Sequence, residues 1–89
     1  MRIKDGFVLE EVGGDFLAVA VGDRAKDFSG MVRMNGTGAF LWNMLAGKDI
    51  TEDELVEAVL KEYDVDEVRV RTDVAAFEKT LRENGILEG

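Results

Sequence analysis

The spacing of apolar residues along this 89-residue chain changes from a period of two to a helical period within Gly30 to Leu45 (GMVRMNGTGAFLWNML). Phe7 to Val12 (FVLEEV) predicts a strand bounded by Asp5-Gly6 and Gly13-Gly14, and the paired glycines predict a tight turn, because they supply the positive φ values it demands. Phe16 to Val21 (FLAVAV) follows at once, with Phe16, Ala18 and Ala20 on one face and Leu17, Val19 and Val21 on the other. Both faces are apolar, so this strand is expected at the centre of a small sheet. Gly22 to Ser29 forms a polar connection from which Phe28 is expected to pack back on the core. The third strand, Met31 to Met34, sets Met31 and Arg33 on one face and Val32 and Met34 on the other. In a sequential three-stranded meander this strand is an edge.

Strand passes directly to helix here, with no room for a loop. Asn35 suits the N-cap, with Thr37 as the other candidate. The first helix spans Thr37 to Ala46, with Phe40, Leu41, Met44 and Leu45 at helical spacing and Gly47 at C′. Trp42 lies off that stripe, either partly exposed or packed under the hairpin. Thr51-Glu52-Asp53-Glu54 fits a capping box, and Val56, Val59, Leu60 and Tyr63, supported by Leu55, form the second helix's stripe. The third helix runs from about Asp66 to Asn84 and is capped by Gly85. Its stripe is Val70, Val74, Phe77 and Leu81, with Ile86 and Leu87 folding back after the cap. No linker or repeat divides the chain, so residues 1–89 read as a single domain of α+β class. The expected architecture is a three-stranded antiparallel sheet followed by three helices, winged helix-turn-helix-like although the hairpin precedes the helices.

Composition narrows what such a domain can do. Nineteen acidic residues against eleven basic ones give a formal charge of −8. That balance argues against nucleic acid, whose backbone needs Lys and Arg to neutralise it, and against an anionic membrane surface. Cys and His are both absent, which removes thiol catalysis, disulfides, Cys/His zinc sites and imidazole acid–base chemistry. Glu10 and Glu11 interrupt any apolar run of signal-peptide length near the N-terminus, and no stretch approaches the roughly 20 apolar residues that span a bilayer. A soluble, cytoplasmic chain is expected. With 46% hydrophobic residues, a domain this small commits most of them to one core and leaves little for a deep catalytic pocket.

The polar motifs carry weak chemistry. Asp64, Asp66 and Glu67 do not reproduce a calcium-loop spacing, and Gly36-x-Gly38 lacks the Lys or third Gly of a phosphate cradle. Glu52, Asp53, Glu54, Glu57 and Glu62 read as a solvated face or as a docking surface for a basic partner enzyme. No catalytic residue, metal or cofactor is assigned.

The combination VGGDFLAVAVG, AKDFSGMVRMNGTGAFLW, TEDELVEAVLKEYDVD and DVAAFEKTLRENGILE resembles the PqqD-like family of pyrroloquinoline quinone biosynthesis protein D over nearly the whole chain. The most specific part is Met34 to Trp42 (MNGTGAFLW), which looks like the family's "N-x-T-G-a-x-x-W" turn into the first helix. The resemblance implies a non-catalytic peptide chaperone, the recognition element for the leader of a ribosomally made precursor peptide. Such modules deliver that peptide to a modifying enzyme, often a radical S-adenosylmethionine (radical SAM) protein. The leader would add as a strand to the third β-strand and lie against the third helix. That places Met31, Val32, Arg33 and Met34 on the strand side of the peptide site and Val70, Asp73, Val74 and Phe77 on the helix side.

The bland readings are core filling for Met31, Met34 and the third-helix stripe, and protection against aggregation for Arg33 on an edge strand. Two other functions compete. A winged-helix nucleic-acid-binding protein is suggested by topology alone, although Arg69, Arg71, Lys79 and Arg82 on the third helix are offset by Asp66, Glu67, Asp73, Glu78 and Glu83. A regulatory subunit that binds an enzyme and no peptide is the other.

Overall fold

The structure, a computed structural model, describes residues 1–26 and 30–89. Phe28 lies outside the described residues. The element order is β1 (Arg2–Ile3), β2 (Phe7–Val12), β3 (Asp15–Ala20), a 3₁₀ turn (Gly22–Lys26), β4 (Val32–Met34), α1 (Gly36–Leu45), α2 (Glu52–Glu62), α3 (Glu67–Glu83) and β5 (Leu87–Glu88). The expected three-stranded antiparallel sheet is present in the order β2-β3-β4, and three helices follow it.

Gly13 and Gly14 carry φ values of 58° and 87° between paired Val12 and Asp15. That two-residue loop has the signs of a type I′ turn, whose twist matches the flanking strands. The register puts Leu9, Ala18 and Val32 side by side, and likewise Glu11, Phe16 and Met34. Cross-strand partners share a face. Leu9, Ala20, Val32 and Met34 pack against the helical core around fully buried Ala18, while Val8 and Val12 face outward and are exposed.

The caps fall where side-chain chemistry places them. Asn35 accepts a hydrogen bond from the Gly38 N–H at 2.9 Å, which assigns the N-cap of α1 to Asn35 and not to Thr37. Thr51 and Glu54 form a complete capping box at α2, and Asp66 caps α3. The C-terminus of α3 closes as a Schellman motif: the Gly85 N–H donates to the Arg82 carbonyl and the Ile86 N–H to the Leu81 carbonyl. Ile86 and Leu81 are both fully buried.

Two features differ from the sequence pattern. The buried residues of α1 are Gly38, Ala39, Leu41, Trp42 and Leu45, so Trp42 is core, while Phe40 and Met44 are only half-buried. Helix α1 is apolar nearly all round, so its pattern alone does not say which side is sealed. Phe40 instead meets Tyr63 edge-to-face, with ring centroids 5.6 Å apart. Second, β1 and β5 pair antiparallel, Arg2 with Glu88 and Ile3 with Leu87. This small sheet joins the chain's two ends, and two-residue strands are too short to show a period.

Glu78 on α3 is only 9% exposed, the sole buried charged side chain among the described residues, and its Oε2 lacks a hydrogen-bond partner among them. Burial pushes its carboxyl up to about 7, and the Glu52 carboxylate at the start of α2 reinforces this while Arg82 opposes it. The folded state therefore holds this proton at a pH where the unfolded chain has released it, so stability falls as pH rises from about 4.5 to about 7. Glu78→Gln, which keeps a donor toward Glu52 without the charge, should flatten that decline. Urea unfolding at pH 8 should find the variant more stable than wild type by on the order of 1–2 kcal/mol, and at pH 4.5 nearly equal to it.

Candidate functional site

Strand β4 is paired on one side only, with β3. Alternate residues of an antiparallel edge strand direct their N–H and C=O groups away from the sheet, and no backbone hydrogen bond from another described segment reaches β4 from that side. Beside this edge runs a groove of about 510 Å³. One wall is Val32, Arg33 and Met34 of β4, and the inner end is Asn35, Thr37, Gly38 and Leu41 at the start of α1. The opposite wall is α3, which contributes Arg69, Asp73, Ala76, Phe77, Thr80 and Leu81.

Local sequence explains how the groove is held open. Asn35 caps α1 directly after β4, so strand and helix turn a corner with no intervening loop. At that corner Gly38 lies so close to the strand that a Cβ on it would sit 2.9 Å from the Met34 Cβ. On α3 the residues 69, 73, 76, 77 and 80 form a helical stripe beside the core stripe Val70, Val74 and Leu81. One helix thus seals the core with one face and walls the groove with the adjacent one.

The groove continues into a second cavity of about 320 Å³ that shares Thr37, Leu41, Arg69 and Asp73 with it and is otherwise lined by Val59, Tyr63, Val65, Val70 and Val74. Tyr63 and Val65 are 40% and 45% exposed, so this end presents apolar surface to solvent.

Of the residues anticipated from sequence, Val32, Arg33, Met34, Asp73 and Phe77 line the groove together. Val70 and Val74 are core residues, 4% and 1% exposed, whose edges reach the second cavity. Met31 precedes β4, is 63% exposed and lines neither cavity. Among the described residues it has no ladder partner, because the β3–β4 pairing ends at Ala18–Val32. Sequence reasoning missed Arg69, Ala76 and Thr80. As small or charged residues on an exposed helix face they look solvated, and only their helical spacing from Phe77 ties them to the groove.

Electrostatically the groove differs from the rest of the protein. Its lining holds Arg33 and Arg69 against Asp73 alone, in a chain of formal charge −8. Each arginine has one exposed partner at 3.9 Å, Asp15 for Arg33 and Asp73 for Arg69. Among the described residues no cluster of three or more metal-ligating side chains occurs, and no helix is long and apolar enough to cross a membrane.

An open sheet edge facing a helix-walled groove defines an α+β module with a ready-made slot for an extended chain. The family model for coenzyme PQQ synthesis protein D (PqqD) matches residues 5–87, and the chain belongs to that family. Two solved structures share the fold. TbiB1, in complex with the TbiA(beta) leader peptide, superposes with a TM-score of 0.75 at 24% identity, covering 100% of this chain and 96% of that one. A lasso peptide synthetase B1, complexed with the leader peptide, superposes with a TM-score of 0.71 at 17% identity, covering 99% of this chain and 96% of that one. No curated protein sequence matches the chain significantly.

Proposed function

We propose that this protein is a non-catalytic recognition module that captures the leader segment of a ribosomally made precursor peptide by adding it as a strand to β4. The carrying observation is the unpaired β4 edge beside the groove walled by α3. Family membership and the leader peptides bound by both fold relatives support the reading. Val32, Met34 and Phe77 meet the leader's inward side chains, Arg33 and Asp73 flank it, Val70 and Val74 back the second cavity, and Met31 meets the leader where it leaves the strand.

Energetics require both halves of the site. Main-chain hydrogen bonds contribute about 1 kcal/mol each, and β4 is three residues long, so strand addition alone stays well short of the roughly −8 kcal/mol of micromolar binding. Two or three leader side chains buried in the groove, at about 1.5–3 kcal/mol each, make up the difference before the entropy of association is charged against it. Methionine suits such a wall because its unbranched thioether adapts to varied ligand shapes.

The module, spanning residues 1–89, acts in the cytoplasm and hands the bound precursor to a modifying enzyme, a radical SAM protein being the candidate that the family resemblance suggests. Titration of ¹⁵N-labelled protein with leader peptides encoded beside its gene should shift the amide signals of Val32, Arg33 and Met34 and of the groove face of α3. If none of those peptides binds, the reading fails.

A further inference from the structure

The side chains of an added strand alternate between the two faces of the sheet. Val32 and Met34 point to the helix-facing side of β4. Arg33 points to the other, where its side chain is 73% exposed and reaches Asp15 at 3.9 Å. A peptide paired to β4 therefore buries two alternate residues beside Val32, Met34 and Phe77, and turns the residue between them outward beside Arg33. Residues directly opposite on one face of an antiparallel pair interact, opposite charges favourably.

Arg69 stands on the far wall, where the groove opens into the second cavity, with a side chain 81% exposed. The ion pairs of both arginines are long and solvent-facing, and such pairs are weak enough to be exchanged for a ligand carboxylate at little cost. The residues lining this groove include two arginines and one aspartate, Arg33 on the outward face of the strand and Arg69 paired with Asp73 on the helix wall, in a chain of formal charge −8. Repulsion from the more distant acidic residues is screened over about 8 Å at physiological salt, so at contact a ligand carboxylate competes chiefly with the two exposed partners Asp15 and Asp73.

Resting on the peptide-binding reading above, we propose that the groove selects an acidic peptide: apolar residues at alternate positions, an Asp or Glu between them opposite Arg33, and a second carboxylate reaching Arg69. Arg33 and Arg69 are then specificity-determining contacts, beyond any role of Arg33 in discouraging edge-to-edge association.

A display library of random 12-residue peptides, selected on the full-length protein and on Arg33→Glu and Arg69→Glu variants, tests this. Wild type should enrich alternating apolar residues with Asp or Glu at the intervening position, and Arg33→Glu should replace that acid with Lys or Arg while keeping the apolar alternation. In one enriched peptide, changing the acid to its amide should weaken binding to wild type about 3- to 10-fold in 50 mM salt and much less in 500 mM. Enrichment of apolar alternation with no charge preference, or with the same preference in wild type and both variants, overturns this specificity and leaves strand addition standing. Failure to enrich any peptide that shifts the β4 amides overturns the peptide-binding reading itself.

Discussion

Replacing Ala76 by tryptophan is expected to weaken leader binding at least about 100-fold, a loss of roughly 3 kcal/mol, while the melting temperature stays near that of wild type. Ala76 is exposed on α3 and lines the groove opposite β4. An indole there occupies space that the leader's inward side chains need, so the loss falls on apolar anchoring and not on the fold. The helix itself tolerates the change, because Trp at an exposed helical position costs only about half a kcal/mol relative to Ala. Calorimetric titration gives the affinity and thermal unfolding the control. Wild-type affinity in this variant would mean that the peptide does not enter the groove.

Gly38→Val is expected to damage stability and binding together. The new Cβ would lie 2.9 Å from the Met34 Cβ, and both atoms are one bond from the backbone, so a rotamer change cannot relieve the contact. The corner between β4 and α1 must open, at the roughly 1–3 kcal/mol typical of overpacking. The modest gain from replacing glycine in a helix offsets only part of this. Because β4 moves with the corner, its register against β3 and its outward hydrogen-bonding groups move too, and leader affinity should fall by more than the stability loss explains. Gly36→Ala is the control. The same helix turn offers open space there, with nothing within 4 Å of the added Cβ, so that variant should be neutral or slightly more stable. Chemical denaturation of both variants separates steric conflict at the corner from a general intolerance of side chains near the cap.

Much of this architecture was legible because short-range chemistry determined it. The Gly13-Gly14 turn, the Thr51–Glu54 capping box and the Asn35 cap are each decided within a few residues, and each forms as its residue types predict. The apolar content of both faces of Phe16 to Val21 placed that strand at the centre of the sheet, which left β4 at an edge. What pattern could not resolve was which side of an element meets what. Helix α1 is apolar nearly all round, so the burial of Trp42 in the core was decided by tertiary packing and not by the helix's own pattern. The pairing of β1 with β5 depends on chain ends more than eighty residues apart, and two-residue strands leave no periodic trace. The groove was half legible: the core stripe of α3 announces itself by hydrophobicity, whereas Arg69, Ala76 and Thr80 on the adjacent face gain meaning only once β4 is seen to run opposite them.

The small size of the domain and the position of its open edge are connected. With three helices on one side of a three-stranded sheet, β3 is sealed by both neighbours, and the outer rims of β2 and β4 remain. The β2 rim carries Glu10 and Glu11, both outside the core, and charge on an edge strand discourages pairing. The β4 rim instead opens onto apolar side chains and a helix wall, an arrangement that welcomes a further strand.

Nuclear Overhauser contacts between a labelled leader peptide and the protein address strand addition most directly. Cross-strand contacts from the peptide backbone to the Hα and amide protons of Val32, Arg33 and Met34, with side-chain contacts to Phe77 and Ala76, are the predicted result. Contacts confined to β2 or to the outer face of the sheet, with the outward-directed β4 amides still exchanging freely with solvent, would contradict it.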